Sequence, residues 1–270
     1  MRWLYIFNES LQSAYRTIVL NKLRTFLSLV GVTIGIFSII SVFTVLDSMK
    51  SNMKATVDSF GNDVIFVEKW PWSPEKGEEF AWWEYVNRPP ATLREYSRLK
   101  SRMKNVKTVS FSAAITTNVE YLDNKAENLL LWGITEEFEQ VRSFNIFRGR
   151  FLSGFEINSG KNFCVIGYSI ADELFKGIDP LGKTIRVQGK NAIITGVFSR
   201  EGKSILGGGS LDKVVMIPVK YMAGMTDLKN DQSRPQIWVK AAEGMPVSIL
   251  KDEIRSSMRS LRRLNPRNKD

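Results

Sequence analysis

Histidine is absent from all 270 residues, and cysteine occurs once, at Cys164. The missing imidazole removes Ser-His-Asp and Cys-His catalysis, the two-histidine zinc motif of metalloproteases, and histidine general acid–base chemistry. One cysteine closes no internal disulfide, and its setting in NFCVIGYS reads as a small apolar residue on a buried strand. The acids are scattered and no nucleophile has a neighbouring base by motif, so neither an enzyme nor a cofactor or metal site is expected in this chain. Acidic charge is also short: 38 basic residues face 28 acidic ones, a net +10. The excess is uneven, with four bases against one acid in residues 1–25 and seven against three in 251–270. Basic ends near a bilayer meet anionic headgroups, whereas a nucleic-acid partner wants a basic stripe on the folded middle; no nucleic acid is expected. With 43% hydrophobic and 24% charged residues, the bulk has the balance of a folded domain and not of a disordered tail.

One long stretch lacks charge altogether. Residues 26–46, FLSLVGVTIGIFSIISVFTVL, run for 21 positions without an ionisable side chain, enough at about 1.5 Å per residue to cross a hydrocarbon core of about 30 Å as a helix. A signal peptide has a shorter apolar core and a small-residue cleavage site, and here DSMKSNMK follows. A buried helix of a soluble protein carries a polar stripe, and only Ser and Thr hydroxyls interrupt this one. Arg2, Arg16, Lys22 and Arg24 precede the span against the single acid Glu9, so residues 1–25 are expected in the cytoplasm and the large polar part outside. Leu4, Phe7, Leu11, Tyr15 and Ile18 make that first segment an amphipathic helix for the inner membrane surface. Within the span, Gly31 and Gly35 form G-x-x-x-G, and Ser28 and Ser38 extend the same small-residue face, which suits close approach of another helix.

Beyond the span, Val45, Met49, Met53 and Val57 keep helical spacing, so a stalk over 47–60 is expected, ended by Gly61-Asn62. Strand and helix patterns then mix: VIFV at 64–67, a Trp- and Pro-rich loop with Trp70, Trp72, Trp82 and Trp83, and a Thr92-x-x-Glu95 capping box opening a helix. Strands follow at 106–121 and 127–134 around an Asp123-Asn124-Lys125 turn, then a short helix at 135–141, the loop FRGRFLSG, a strand at 163–166 and a helix at 169–175. A hairpin of 184–188 and 192–198 turns at Gly189–Asn191, strands at 214–217 and 236–240 come next, and a basic helix ends the domain at 247–264. The fold class is α+β: one transmembrane helix with its stalk, then a mixed extracytoplasmic domain over 47–264 in two lobes, and a basic tail at 265–270. The Trp-rich loop suits a membrane interface, a protein contact or a cover for the domain's own core. The loop GKSILGGGSLDK reads as a lid or a linker.

One motif points elsewhere. Residues 177–184, GIDPLGKT, satisfy G-x-x-x-x-G-K-[ST], the phosphate-cradling loop of nucleotide triphosphatases. That loop works between a buried strand and a helix N-terminus, where successive N–H groups converge on phosphate. Here it follows the helical SIADELF and enters the alternating TIRVQG, and Pro180 removes a donor. Nucleotide binding is therefore rejected.

Three stretches carry a resemblance instead: NKLRTFLSLVGVTIGI, GITEEFEQVRSFNIFRGRFL, and CVIGYSIADELFKGIDPLGKTIRVQGKNAIITGVF. In this order, down to IWVKAAEG before the basic helix, they resemble the MacB family of ABC transporter permeases (MacB/FtsX/LolC type), specifically its first membrane helix and periplasmic core domain. The resemblance implies a bacterial inner-membrane protein with its N-terminus in the cytoplasm and its main domain in the periplasm. It further implies a permease subunit that passes the motion of a separate ABC ATPase across the membrane to a domain that moves peptide, drug or lipoprotein cargo. Its partners would be that ATPase, a second permease copy or homologue, the lipid bilayer and a periplasmic adaptor. Arg16, Lys22 and Arg24 would lie on the ATPase side, Gly31, Gly35, Ser28 and Ser38 in helix packing, and Asp179, Pro180, Gly182 and Lys183 in a structural turn. Family members continue into three further membrane helices, whereas this sequence stops at NPRNKD. It is read either as the front part of a longer permease or as a single-span binding or scaffolding module.

Overall fold

The computed structural model describes residues 3, 6–10, 20–60, 63–70, 82–201 and 210–264. The chain forms two compact units, Met1–Lys54 and Ala55–Asp270. Its first long element is helix α1, Lys22–Phe60, of 39 residues, about 58 Å long at 1.5 Å per residue. Valine and isoleucine are indifferent helix formers in water. In hydrocarbon the helix wins because it satisfies every backbone donor and acceptor within one segment. The hydroxyls follow the same logic: Thr33 Oγ1 donates to the Leu29 carbonyl and Thr44 Oγ1 to that of Ile40, each at 2.8 Å. The most apolar window of Lys22–Ser48 is long enough to cross a membrane, and none of it is buried by protein.

The second unit is built on β1 (Val64–Val67), β2 (Val106–Tyr121), β3 (Asn124–Ile134), β4 (Ile146–Gly149), β5 (Phe163–Ile166), β6 (Thr184–Val187), β7 (Lys190–Phe198), β8 (Val214–Pro218) and β9 (Gln236–Ala241). Its helices are α2 (Trp83–Val86), α3 (Leu93–Arg102), α4 (Phe138–Val141), α5 (Gly154–Ser159), α6 (Tyr168–Phe175), α7 (Val219–Met222) and α8 (Val247–Arg262). These strands join one sheet in the order β1-β9-β2-β3-β8-β5-β7-β4, with β6 bridging β2 and β7. β2 has 16 residues, enough for one edge to serve two partners: β9 along Val106–Ser112 and β6 at Val119 and Glu120. The second pairing closes a six-strand ring, β2-β3-β8-β5-β7-β6.

Both faces of the sheet are covered, and the two-residue period of the strands divides their side chains between two cores. Leu129, Leu131, Cys164, Ile166, Val215, Ile217, Ile237 and Val239 enter the first, with the apolar faces of α3, α6 and α8. Their neighbours Trp132, Ile134, Val165, Val214, Met216 and Trp238 enter the second, with Phe138 and Val141 of α4. Burial on both faces explains why FCVI and VVMIP read as unbroken apolar runs. The sequence reading expects two lobes; the strands form one sheet with a core on each face.

Four local expectations change. FRGRFLSG is not all loop: β4 holds the sheet edge beside β7, and Ser153 opens α5 with a second capping box, its Oγ accepting from Glu156 N at 3.3 Å while Glu156 Oε2 accepts from Ser153 N at 2.7 Å. Six residues are too few to display a helical period. The β2–β3 turn is Leu122–Asp123, because Tyr121 pairs with Asn124 and the Asn124 amide is used to donate to the Leu174 carbonyl at 2.8 Å. Likewise the β6–β7 turn is Gln188-Gly189, both with positive φ (48° and 74°), as a two-residue hairpin requires. Finally, Trp70, Trp82 and Trp83 are 41%, 56% and 61% exposed, so they do not cover the core; Trp72 lies outside the described residues.

Candidate functional site

The first candidate is the apolar helix itself. Lys22 and Arg24 are exposed in the first turn of α1, and Arg16 lies outside the described residues. Ser28, Gly31, Gly35 and Ser38 recur at three- and four-residue spacing, so they share one face. A methyl group built on Gly31 or Gly35 meets nothing within 4 Å. The chain therefore leaves this notch open, while large neighbours such as Leu29 and Phe37 project from the same helix.

In the second unit the polar side chains form clasps between elements. Glu137, just before α4, accepts from Tyr96 Oη at 2.8 Å and from Lys100, both on α3. Burial alone would raise its pKa, but those two donors bring it below the usual carboxylate value, and burial with the same carboxylate pushes Tyr96 up. On the other side of α3, Arg262 of α8 meets Glu95 at 2.7 Å, and Glu95 is already the capping residue of Thr92. Arg142, 5% exposed, lies 3.6 Å from Glu201 and 5.5 Å from the centre of the Trp132 ring; burial pulls its pKa down and Glu201 opposes this. Glu201 N donates to Asp212 Oδ1 at 2.9 Å and Leu211 N to Glu201 Oε2 at 3.0 Å, which ties together the two sides of the glycine-rich stretch 202–209, itself outside the described residues. Gly167 makes this junction possible: a methyl there would stand 2.2 Å from the Asp212 carbonyl oxygen.

These clasps join elements and assemble no nucleophile with a base. Among the described residues no cluster of three or more metal-binding side chains occurs. Cys164 is fully buried, and burial pushes its thiol pKa up, away from reactivity. The G-x-x-x-x-G-K-T stretch lies between α6 and β6, in the helix-to-strand order that a phosphate cradle does not use. Its own donors are spent on the protein: Leu181 N donates to Asp179 Oδ1 at 3.2 Å, Lys183 N to the Pro180 carbonyl at 3.1 Å and Gly182 N to the Ile194 carbonyl at 2.8 Å. Gly177 and Gly182 take positive φ, 92° and 72°.

Residues 25–257, the apolar helix together with the domain, match the family described as the MacB-like periplasmic core domain. The chain belongs to that family. The MacB-like chain is 26% identical over 211 residues to the macrolide export ATP-binding/permease protein MacB of Bdellovibrio bacteriovorus, covering 78% of this chain and 31% of that protein. It is 26% identical over 220 residues to the ABC transporter permease YvrN of Bacillus subtilis, covering 78% and 52%. Its fold is that of the periplasmic region of MacB from Actinobacillus actinomycetemcomitans, with a TM-score of 0.60 at 15% identity over 76% of this chain and 86% of that one. The MacB-like chain thus spans between a third and about half of the length of these curated relatives. With its apolar helix inside the family match it is a membrane protein, and its relatives are transporter permeases.

Sequence reasoning missed the clasps. The Thr92-x-x-Glu95 box was visible, but that Glu95 also receives Arg262 was not, because 167 residues separate the two. Ser153-x-x-Glu156 carried the same signal as Thr92 and passed as loop. Arg142 and Gly167 had no local signal at all.

Proposed function

We propose that this chain is permease material of a MacB-type exporter in a bacterial inner membrane: α1 crosses the bilayer from a cytoplasmic N-terminus and the sheet domain works in the periplasm. The observation that carries this reading is the single family match through helix and domain, residues 25–257. On this reading a separate ABC ATPase supplies the motion. That assignment is supported by the spent donors of 177–184 and by YvrN, whose name is that of a permease alone. A continuous helix transmits a push well, since its backbone bonds are all internal and it has no loop to absorb displacement. Arg16, Lys22 and Arg24 would face the ATPase, and the Gly31/Gly35 notch would seat a helix of a second permease copy or homologue. The domain would pass peptide, drug or lipoprotein cargo onward, with a periplasmic adaptor as its outer partner. Asp179, Pro180, Gly182 and Lys183 serve as a turn.

Purification of the protein from its native membrane in mild detergent tests the reading. An ABC ATPase is expected to co-purify, and to be lost when Lys22 and Arg24 are both changed to Glu. Recovery of periplasmic partners alone, with no ATPase, would sink the exporter and leave a single-span module.

A further inference from the structure

Charge is unevenly divided within the second unit. Segments 93–107 and 247–263 together hold eleven basic residues and three acids, while the rest of residues 55–270 holds 21 bases and 23 acids. Elsewhere the signs meet in pairs, such as Lys125 with Glu127 and Arg148 with Asp179. Folding sets the two basic segments side by side: Leu99 shares a core with Leu250, Ile254 and Met258, Arg262 reaches Glu95 at 2.7 Å, and Arg102 donates to Ser260 Oγ at 3.4 Å.

Two residue types make the outer side of α3. Arg94, Ser97, Arg98, Ser101 and Arg102 are exposed, and their three- and four-residue spacing puts them on one side of the helix. The one acid of α3, Glu95, is engaged by Arg262. Arginines one turn apart repel each other and weaken the helix that carries them, so the arrangement costs stability within the chain and gains it only against opposite charge. The serine hydroxyls turn back on their own helix, Ser97 Oγ donating to the Leu93 carbonyl at 2.9 Å and Ser101 Oγ to that of Ser97 at 2.7 Å. This leaves a low floor beside the arginines. On α8, Ile249, 55% exposed, shares a stripe with Ser256 and with Ser260, which meets Arg102. A large exposed apolar residue beside charged ones matches the apolar centre and polar rim of a protein interface, whereas a polyelectrolyte has no use for it.

We propose that the α3–α8 face docks an acidic surface of a partner protein, whose carboxylates meet Arg94, Arg98 and Arg102 and whose apolar centre covers Ile249. A guanidinium fork binds a carboxylate through two parallel bonds, and arginines one turn apart select carboxylates at steps of about 5–6 Å, the spacing along a helix. Such complementarity speeds encounter and rejects partners of like charge, and salt screens it. The inference goes beyond the exporter reading and does not depend on it, because it concerns the second unit alone.

The full chain with p-benzoylphenylalanine in place of Ser97 is irradiated in its isolated native membrane. The expected product is an adduct with a protein whose cross-linked segment has an excess of Asp and Glu. Its yield is expected to fall about tenfold or more with R98E/R102E and at high salt, and to return when acids of that segment are changed to Lys in the R98E/R102E background. Capture of a protein whose segment lacks the acidic excess overturns the proposal, as does an adduct that survives the charge reversal or high salt. Adducts with phospholipid alone give the face to the bilayer, and the absence of any adduct leaves it solvated; either result overturns the docking. Thermal unfolding like the parent's shows that R98E/R102E is folded, and a yield that then fails to return with the paired reversal overturns the charge pairing. The salt comparison uses the unaltered face, so it decides the matter even if the double variant misfolds.

Discussion

Glu156 accepts three hydrogen bonds from two neighbours with its two oxygens. Oε1 accepts from Arg150 at 2.6 Å, and Oε2 accepts from Arg150 at 2.8 Å and from Ser153 N at 2.7 Å. The Arg150 guanidinium in first place, and Ser153 after it, hold the carboxyl at about 2, against an ordinary value of 4.5. Because the folded value is depressed, the contribution to stability is complete above the ordinary value and fades as pH falls through the folded one. Arg150 is more than half exposed, which screens part of the effect. Glu156→Gln is expected to cost about 1–2 kcal/mol at neutral pH, and the variant and the parent should converge as pH approaches 2; urea unfolding at a series of pH values reads both. At this scale the capping pair was legible as S-x-x-E, but its arginine was not. Leu122 shows the opposite limit: nothing in its sequence context announces an 84% exposed leucine at φ 51°, a conformation that asparagine or glycine takes at lower cost.

Elements were legible where a period had room to show. β2, β5 and β1 match the expected strands, and α8 shows its apolar face at fourfold spacing through Leu250, Ile254 and Met258. What the period does not say is which surface receives that face. The structure sets it on the first core beside α3, so Leu250→Ala is expected to remove about 3 kcal/mol of stability by leaving a cavity, while Ser256→Ala on the exposed side of α8 should stay within about 0.5 kcal/mol. Equilibrium unfolding of the two variants checks this, and equal effects would mean that α8 is not packed as described. β4 and α5 escaped for want of length, and the β2–β3 and β6–β7 turns each differ by a residue or more because hairpin loops need only two residues while the sequence offers several turn formers in a row.

For the whole molecule, the notch at Gly31 and Gly35 meets no side chain among the described residues. Changing both to leucine is expected to abolish cross-linking between neighbouring helices in native membranes and to leave the unfolding of the domain unchanged; cross-linking that persists would place helix packing on another face. By itself the sequence determined the membrane helix, the absence of histidine and disulfide chemistry, and the period of the longer strands and helices, because each of these is a property of a residue or of a contiguous run. Tertiary structure alone decided the rest. The ring closed by β6, the assignment of alternate residues in β3, β5, β8 and β9 to two cores, the clasps of Glu95 and Arg142, and the joining of two basic segments into one face all depend on residues far apart in the chain. Their energies exist only after long-range pairing has brought those residues together, and no local pattern records them.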